Sequence, residues 1–108
     1  MTTTVAVLLE PAFATAAGVS YTSDQCTTAL DKVTCTNEST PPVTATATVQ
    51  LLSPDGTQIQ SFSKTIQPGA SWPFPDVVGH TLATGGKLNV LCPIANAIKV
   101  RASGRKFT

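Results

Sequence analysis

The sequence predicts an all-β fold, an antiparallel β-sandwich of about eight short strands, with a jelly roll among the arrangements it allows. Three observations carry this. Threonine occurs eighteen times in 108 residues while Leu, Glu and Lys are sparse, so residues that suit a pleated, half-buried surface displace the helix formers. Val43, Ala45, Ala47, Val49 and Leu51 alternate with Thr44, Thr46, Thr48 and Gln50, which is the period of a strand with one apolar and one hydroxyl-lined face. The eight prolines and seven glycines fall mostly between apolar runs and act as turn punctuation.

Taken in order, Thr4 to Leu9 reads as a first strand closed by Glu10-Pro11, and Gly18 to Thr22 as a short second one. Thr27 to Thr36 follows, with Ala29, Asp31, Val33 and Cys35 expected on one face and Leu30, Lys32, Thr34 and Thr36 on the other. The mostly polar second set predicts a side that meets solvent or a partner. Pro41-Pro42 marks a loop, because proline cannot donate to a sheet ladder. After the alternating strand, Ser53-Pro54-Asp55-Gly56 fits a type I turn and predicts a hairpin to Thr57–Ile66. The alternation slips between Ile59 and Phe62, which indicates a bulge.

Gln67-Pro68-Gly69-Ala70 is another turn, and the prolines of Trp72-Pro73-Phe74-Pro75 predict an extended segment. Asp76 to Leu82 reads as one helical turn capped by Asp76. Gly85-Gly86 turns into a strand at Lys87 to Cys92. In a last strand, Ala97 to Ser103, the residues Ala97, Lys99, Arg101 and Ser103 are expected outward and Ile98, Val100 and Ala102 inward, before Gly104 releases a basic tail.

The length fits one domain, residues 1–108, which buries roughly two-thirds of the surface an unfolded chain exposes. A formal net charge of +1 gives no global field to attract nucleic acid or an anionic membrane. The two halves differ: residues 1–55 carry Lys32 against five acids, and residues 56–108 carry six cations against Asp76. Lys99, Arg101, Arg105 and Lys106 all lie in the last ten residues. Side-by-side acidic and basic strands account for this split, and a head-to-tail contact between subunits or a dock on an acidic partner is the sharper alternative. The apolar run Val5 to Leu9 lacks a preceding cation and is cut by Glu10-Pro11, which argues against a signal peptide. No stretch approaches the roughly 20 apolar residues of a membrane span.

Cys26, Cys35 and Cys92 cannot all pair within one chain, and an odd number of buried thiols suits a reducing compartment, although a bridge between Cys26 and Cys35 stays open. Neither these cysteines nor the single histidine, His80, shows metal-ligand spacing, so no metal and no cofactor are expected. The acids are scattered and no Gly-rich loop opens a helix, so the sequence offers no catalytic residues and reads as a non-enzyme. Phe107 alone among the C-terminal cations is too little for base stacking. Trp72 and Phe74 suggest either a sugar-binding platform or a core plug, the plug being the commoner use.

The segments TVAVLLEPAFATAAG, ALDKVTCTN, VTATATVQLLSPDG, IQPGASWPFPDVVGHTLATGGKL and AIKVRASGRKFT together resemble small virion proteins of tailed bacteriophages, of the head decoration or cement type. The matching positions are Asp31, Lys32, Thr34, Asn37, Pro68, Gly69, Val78, Gly79, Leu82, Gly85, Gly86, Ser103 and Gly104, all of them turn or strand chemistry. The cysteines are a departure from that pattern. The resemblance implies a structural subunit of a virion assembled in the host cytoplasm, a homo-oligomer and first of all a trimer. It would bind the major capsid protein without covalent bonds and contact neither nucleic acid nor membrane. Residues 1–13 are then expected either as an extended interaction arm anchored by Val5, Val7, Leu8, Leu9 and Phe13 or as an ordinary core strand, and the cations Lys99, Arg101, Arg105 and Lys106 join the candidate interface. The same resemblance leaves a tail, neck or fibre-base adhesion module as an alternative, and a carbohydrate-binding sandwich stands third.

Overall fold

The computed structural model describes residues 2–108, and among these it contains nine strands and no helix. They are β1 (Thr3–Phe13), β2 (Val19–Thr22), β3 (Thr27–Asn37), β4 (Ala45–Leu52), β5 (Gln58–Ile66), β6 (Ser71–Trp72), β7 (Thr81–Leu82), β8 (Lys87–Leu91) and β9 (Ile98–Phe107). One sheet has the order β1-β9-β3-β6, with β7 also pairing β3, and the other has the order β2-β8-β4-β5. Every pairing between these strands is antiparallel.

Both β6 and β7 pair with β3, β6 at Cys35 and Thr36 and β7 at Thr28 and Ala29, so they act as two halves of one interrupted strand. Counted that way, each sheet has four strands and the chain changes sheet at almost every connection. Two four-stranded antiparallel sheets interleaved in this order form a jelly roll. The predicted all-β sandwich is therefore correct, with one strand broken in two.

The core lies between the sheets. Leu30, Val33 and Cys35 of β3 and Ile98, Val100 and Ala102 of β9 face Ala47, Val49 and Leu51 of β4 and Leu88 and Val90 of β8, all buried. Each buried Val or Leu contributes about 1.5–3 kcal/mol relative to exposure, which is what fixes the strand registers. The alternation of β4 places Thr46, Thr48 and Gln50 on the outer face, as its period requires. The hairpin turn also forms as predicted, with Gly56 N–H donating to the Ser53 carbonyl at 2.9 Å. The bulge in β5 falls at Ile59, which the pairing skips between Leu51↔Gln60 and Leu52↔Gln58.

Several expectations need correction. In β3 the pairing with β9 skips Asp31, between Leu30↔Gly104 and Lys32↔Ser103. This bulge reverses the faces partway along the strand, so Leu30 points inward together with Val33 and Cys35, while Lys32, Thr34 and Thr36 point out. Residues 76–82 form turns and β7 instead of a helical turn. Phe74 is not extended; it takes φ 45° and is 2 % exposed. Burial of its ring in the gap between β6 and β7 offsets a backbone strain of about 1–3 kcal/mol. The C-terminus is no free tail, because β9 runs on through Phe107.

Residues Thr3–Phe13 do not project as an arm: β1 pairs with β9 from Thr3↔Phe107 to Phe13↔Lys99, with Glu10-Pro11 forming a bulge between Leu9↔Ala102 and Ala12↔Val100. Proline is tolerated there because β1 is an edge strand whose outer side needs no N–H donor. Cys26 and Cys35 sit just before and near the end of one strand, β3. Nine residues of extended chain separate them by about 30 Å, far beyond disulfide reach. All three cysteines are free and buried.

Candidate interaction surface

Paired residues in an antiparallel sheet project from the same face, so the registers of β1, β9 and β3 define cross-strand rows on the outer face of the first sheet. Phe13, Lys99, Thr36 and Ser71 make one row, and the Thr36 and Ser71 hydroxyls lie 2.8 Å apart. Arg101 stands beside Thr34 in the next. Val7, Ser103 and Lys32 follow, and then Val5, Arg105 and Ala29. Residues far apart in sequence thus form one surface, because β9 inserts between β1 and β3.

This surface mixes bare apolar groups with cations. Val5 is 79 % and Val7 41 % exposed. Lys99 Nζ lies 4.0 Å from Glu38 and 5.5 Å from the centre of the Phe13 ring. The Arg105 guanidinium binds Asp31, with Nη2 3.0 Å and Nε 3.1 Å from the carboxylate. Among the described residues no carboxylate lies within 4 Å of the Arg101 or Lys32 side chain. Between these charges runs an open groove of about 360 Å³, floored by Thr34, Thr36 and Ser103 and walled by Pro11 and Glu38.

The anticipated interface residues divide into two groups. Val5, Val7, Phe13, Lys99, Arg101 and Arg105 share the outer face described above. Leu8 and Leu9 do not, because the pairing with β9 skips Leu8 and this bulge lets both leucines turn into the core. Lys106 belongs to the inner side, with Nζ 5.6 Å from the Tyr21 ring at the end of the sandwich. Lys32 was the residue missing from that set. Its signal was the polar half of the β3 alternation, which already grouped it with Thr34 and Thr36.

The other candidate features are placed elsewhere. The outward threonines of β4 pair within the chain, Thr46 with Thr65 and Thr48 with Ser63 at 3.1 Å, while Thr44 donates to Gln67 at 3.2 Å. Trp72 and Phe74 share no exposed platform, since Phe74 is buried and Lys64 Nζ covers the half-buried Trp72 at 4.3 Å. His80 packs near Phe62, ring centres 5.8 Å apart. Among the described residues no three His, Cys, Asp or Glu side chains gather as a metal-binding group. Comparisons with family models, curated proteins and solved structures return no match to this chain.

Proposed function

We propose that this chain is a structural subunit of a tailed-bacteriophage particle, a capsid decoration protein that holds the head together by noncovalent contacts with the major capsid protein. The observation that carries this reading is the outer face of the β1-β9-β3-β6 sheet, where exposed Val5 and Val7 adjoin Lys99, Arg101 and Arg105. Eleven-residue strands make that face about 36 Å long, enough for a sizeable part of a standard interface of about 800 Å² per partner. Mixed apolar and cationic surfaces of this kind suit a partner that must be recognised by shape and charge together. The jelly roll is a common plan among viral capsid domains, and this fold-level analogy supports the reading.

A decoration subunit works by multiplicity: each copy adds a modest contact, and repetition over the shell makes the sum large. The protein acts as an oligomer, a trimer first, so that each unit spans a junction between shell subunits. The test is co-sedimentation with empty heads of the phage that encodes the chain. Wild type is expected to saturate the shell in hundreds of copies, and Val5→Asp or Arg101→Glu to lose binding while Ile59→Asp on β5 keeps it. Saturation at a few dozen copies or fewer would transfer the protein to the tail or neck. A monomeric mass in light scattering at shell-saturating concentration would remove the trimer.

A further inference from the structure

We infer that the groove on the outer face of the β1-β9-β3-β6 sheet is a binding site for an extended acidic peptide segment with two carboxylates two residues apart, in the pattern acid-x-acid. This inference rests on the decoration reading only for the identity of the partner that carries the segment. The site itself follows from the placement of four cations.

Lys99, Arg101, Lys32 and Arg105 occupy four successive rows of the sheet face, Lys32 standing opposite Ser103. The outer two are already matched inside the chain, Lys99 by Glu38 at 4.0 Å and Arg105 by Asp31 at 3.0 Å. The inner two, Arg101 and Lys32, meet no carboxylate among the described residues. Unmatched positive charge is thereby confined to the middle of the face, beside the 360 Å³ groove. That volume lies within the range of about 300–1,000 Å³ typical of small-ligand sites.

The spacing selects the ligand. Arg101 and Lys32 are diagonal neighbours on adjacent strands, about 7–8 Å apart. In an extended peptide, side chains at positions i and i+2 point the same way and lie about 6.6–6.8 Å apart. Two carboxylates in that relation meet both cations at once, and Arg101 supplies a fork that holds one in a bidentate pair. The intervening residue points away from the sheet. Thr34, Thr36 and Ser103 offer hydroxyls to the peptide backbone from the groove floor.

A second copy of this chain cannot be the occupant, because its acids at positions 10, 24, 31, 38, 55 and 76 include no pair two residues apart. A nucleic-acid strand fits less well. Glu38 and Asp31 stand at the two ends of the cation row and would repel a polyanion that continued past it. The one aromatic ring in the groove's row, Phe13, is covered by Lys99 rather than free to stack on a base.

The probe is a capped seven-residue peptide of serine and threonine with glutamates at alternate positions, followed by isothermal titration and by amide shift mapping on the full chain. Binding is expected to perturb Thr34, Thr36 and Ser103, to weaken about tenfold in Arg101→Gln and in Lys32→Gln, and to persist in Lys87→Gln on β8. Its affinity should fall with added salt. Equal affinity for a peptide with adjacent glutamates would overturn the spacing argument, and tighter binding of a single-stranded oligonucleotide would overturn the ligand class. No shift in the groove at millimolar peptide would overturn the site itself. Heads that bind wild type and Lys32→Gln equally, with the peptide silent, sink the groove and spare the decoration reading. Peptide binding by a protein that ignores heads does the reverse.

Discussion

A β-carbon on Gly104 of β9 would collide with the carbonyl oxygen of Ala29 on the neighbouring strand β3, so this position has no space for a side chain. The same position faces Leu8, whose Cδ1 stands 3.0 Å from where a β-carbon would sit. This close approach occurs where the bulges at Leu8 and Asp31 flank β9 on either side. Three strands of the sheet are drawn together there, and a residue without a side chain is what permits it.

Gly104→Ala is therefore expected to destabilise the protein by more than about 2 kcal/mol, since the obstruction is backbone and has no rotamer to move into. Urea unfolding followed by tryptophan fluorescence reads this directly. Gly56→Ala tests the opposite environment, because nothing lies within 4 Å of its missing β-carbon and its cost comes from φ 90° alone. A Gly104→Ala midpoint equal to wild type would show that β3 and β9 can separate at this level.

Asn37, 1 % exposed at the end of β3, is the polar staple of the fold. Its side-chain amide donates to the Val43 carbonyl at 2.7 Å and the Ile66 carbonyl at 2.9 Å, and its Oδ1 accepts the Ser39 N–H at 3.1 Å. Asn37→Asp keeps the shape but turns both donors into an acceptor facing carbonyl oxygens, with an expected loss of about 3 kcal/mol or more at pH 7. Repulsion raises the folded pKa of the introduced acid above its unfolded value. The variant should accordingly regain part of its stability as pH falls through that raised value toward about 4, the ordinary aspartate value. Equal loss at pH 4 and pH 7 would contradict the assigned amide orientation.

In the β4–β5 turn, the Ser53 hydroxyl and the Thr57 N–H hold the Asp55 carboxyl down to about 2 from an ordinary 3.8. A folded value below the unfolded one means that the ionised form supports the turn fully above about pH 4 and progressively less as pH falls toward 2. A carbon-detected titration should place this group well below the ordinary aspartate value of 3.8. Asp55→Asn should flatten the acid limb of the melting curve between pH 4 and 2, while an ordinary midpoint for Asp55 would dismiss the turn hydrogen bonds as stabilising.

How far the sequence speaks depends on whether a signal is local. The alternation of β4 and the turn at Ser53-Pro54-Asp55-Gly56 are complete within a dozen residues, and both form where expected. The bulges at Leu8 and Asp31 are invisible to alternation because they arise from the shared neighbour β9, more than 70 residues away. For that reason Leu8 and Leu9 looked like surface anchors and Leu30 was put on the outer face beside Lys32. The left-handed Phe74 is a case of tertiary burial overriding the restriction that Pro75 imposes on its predecessor. The cations of β9 were legible, but their confinement between Glu38 and Asp31 required the register.

The three thiols should react in a definite order. At Cys26 the Ser23 hydroxyl, aided by Thr28 and Tyr21 and by the charge of Lys106, lowers the thiol below its ordinary value against the opposing effect of burial. Burial pushes Cys35 up to about 12, with Cys92 close enough to add to the effect. Iodoacetamide at pH 8 is expected to modify Cys26 first, with Cys35 and Cys92 following only at the rate of global unfolding. Peptide mass mapping over time reads the order, and simultaneous labelling of Cys35 would mean that the sandwich opens without unfolding.

Strand β1 allows adhesion and stability to be separated within four residues, because Val5 faces outward at 79 % exposure while Leu8 is 9 % exposed in the core. Val5→Thr should alter unfolding free energy by no more than about 0.5 kcal/mol yet weaken attachment to heads, since only the contact surface changes. Leu8→Ala should cost about 2–5 kcal/mol by leaving a cavity and should keep attachment at temperatures where it stays folded. Melting and co-sedimentation measured on the same preparations decide the matter. If Val5→Thr attaches as well as wild type and Leu8→Ala does not, the adhesive surface is not on this face, and the exposed valines of β1 are an edge left bare for another strand.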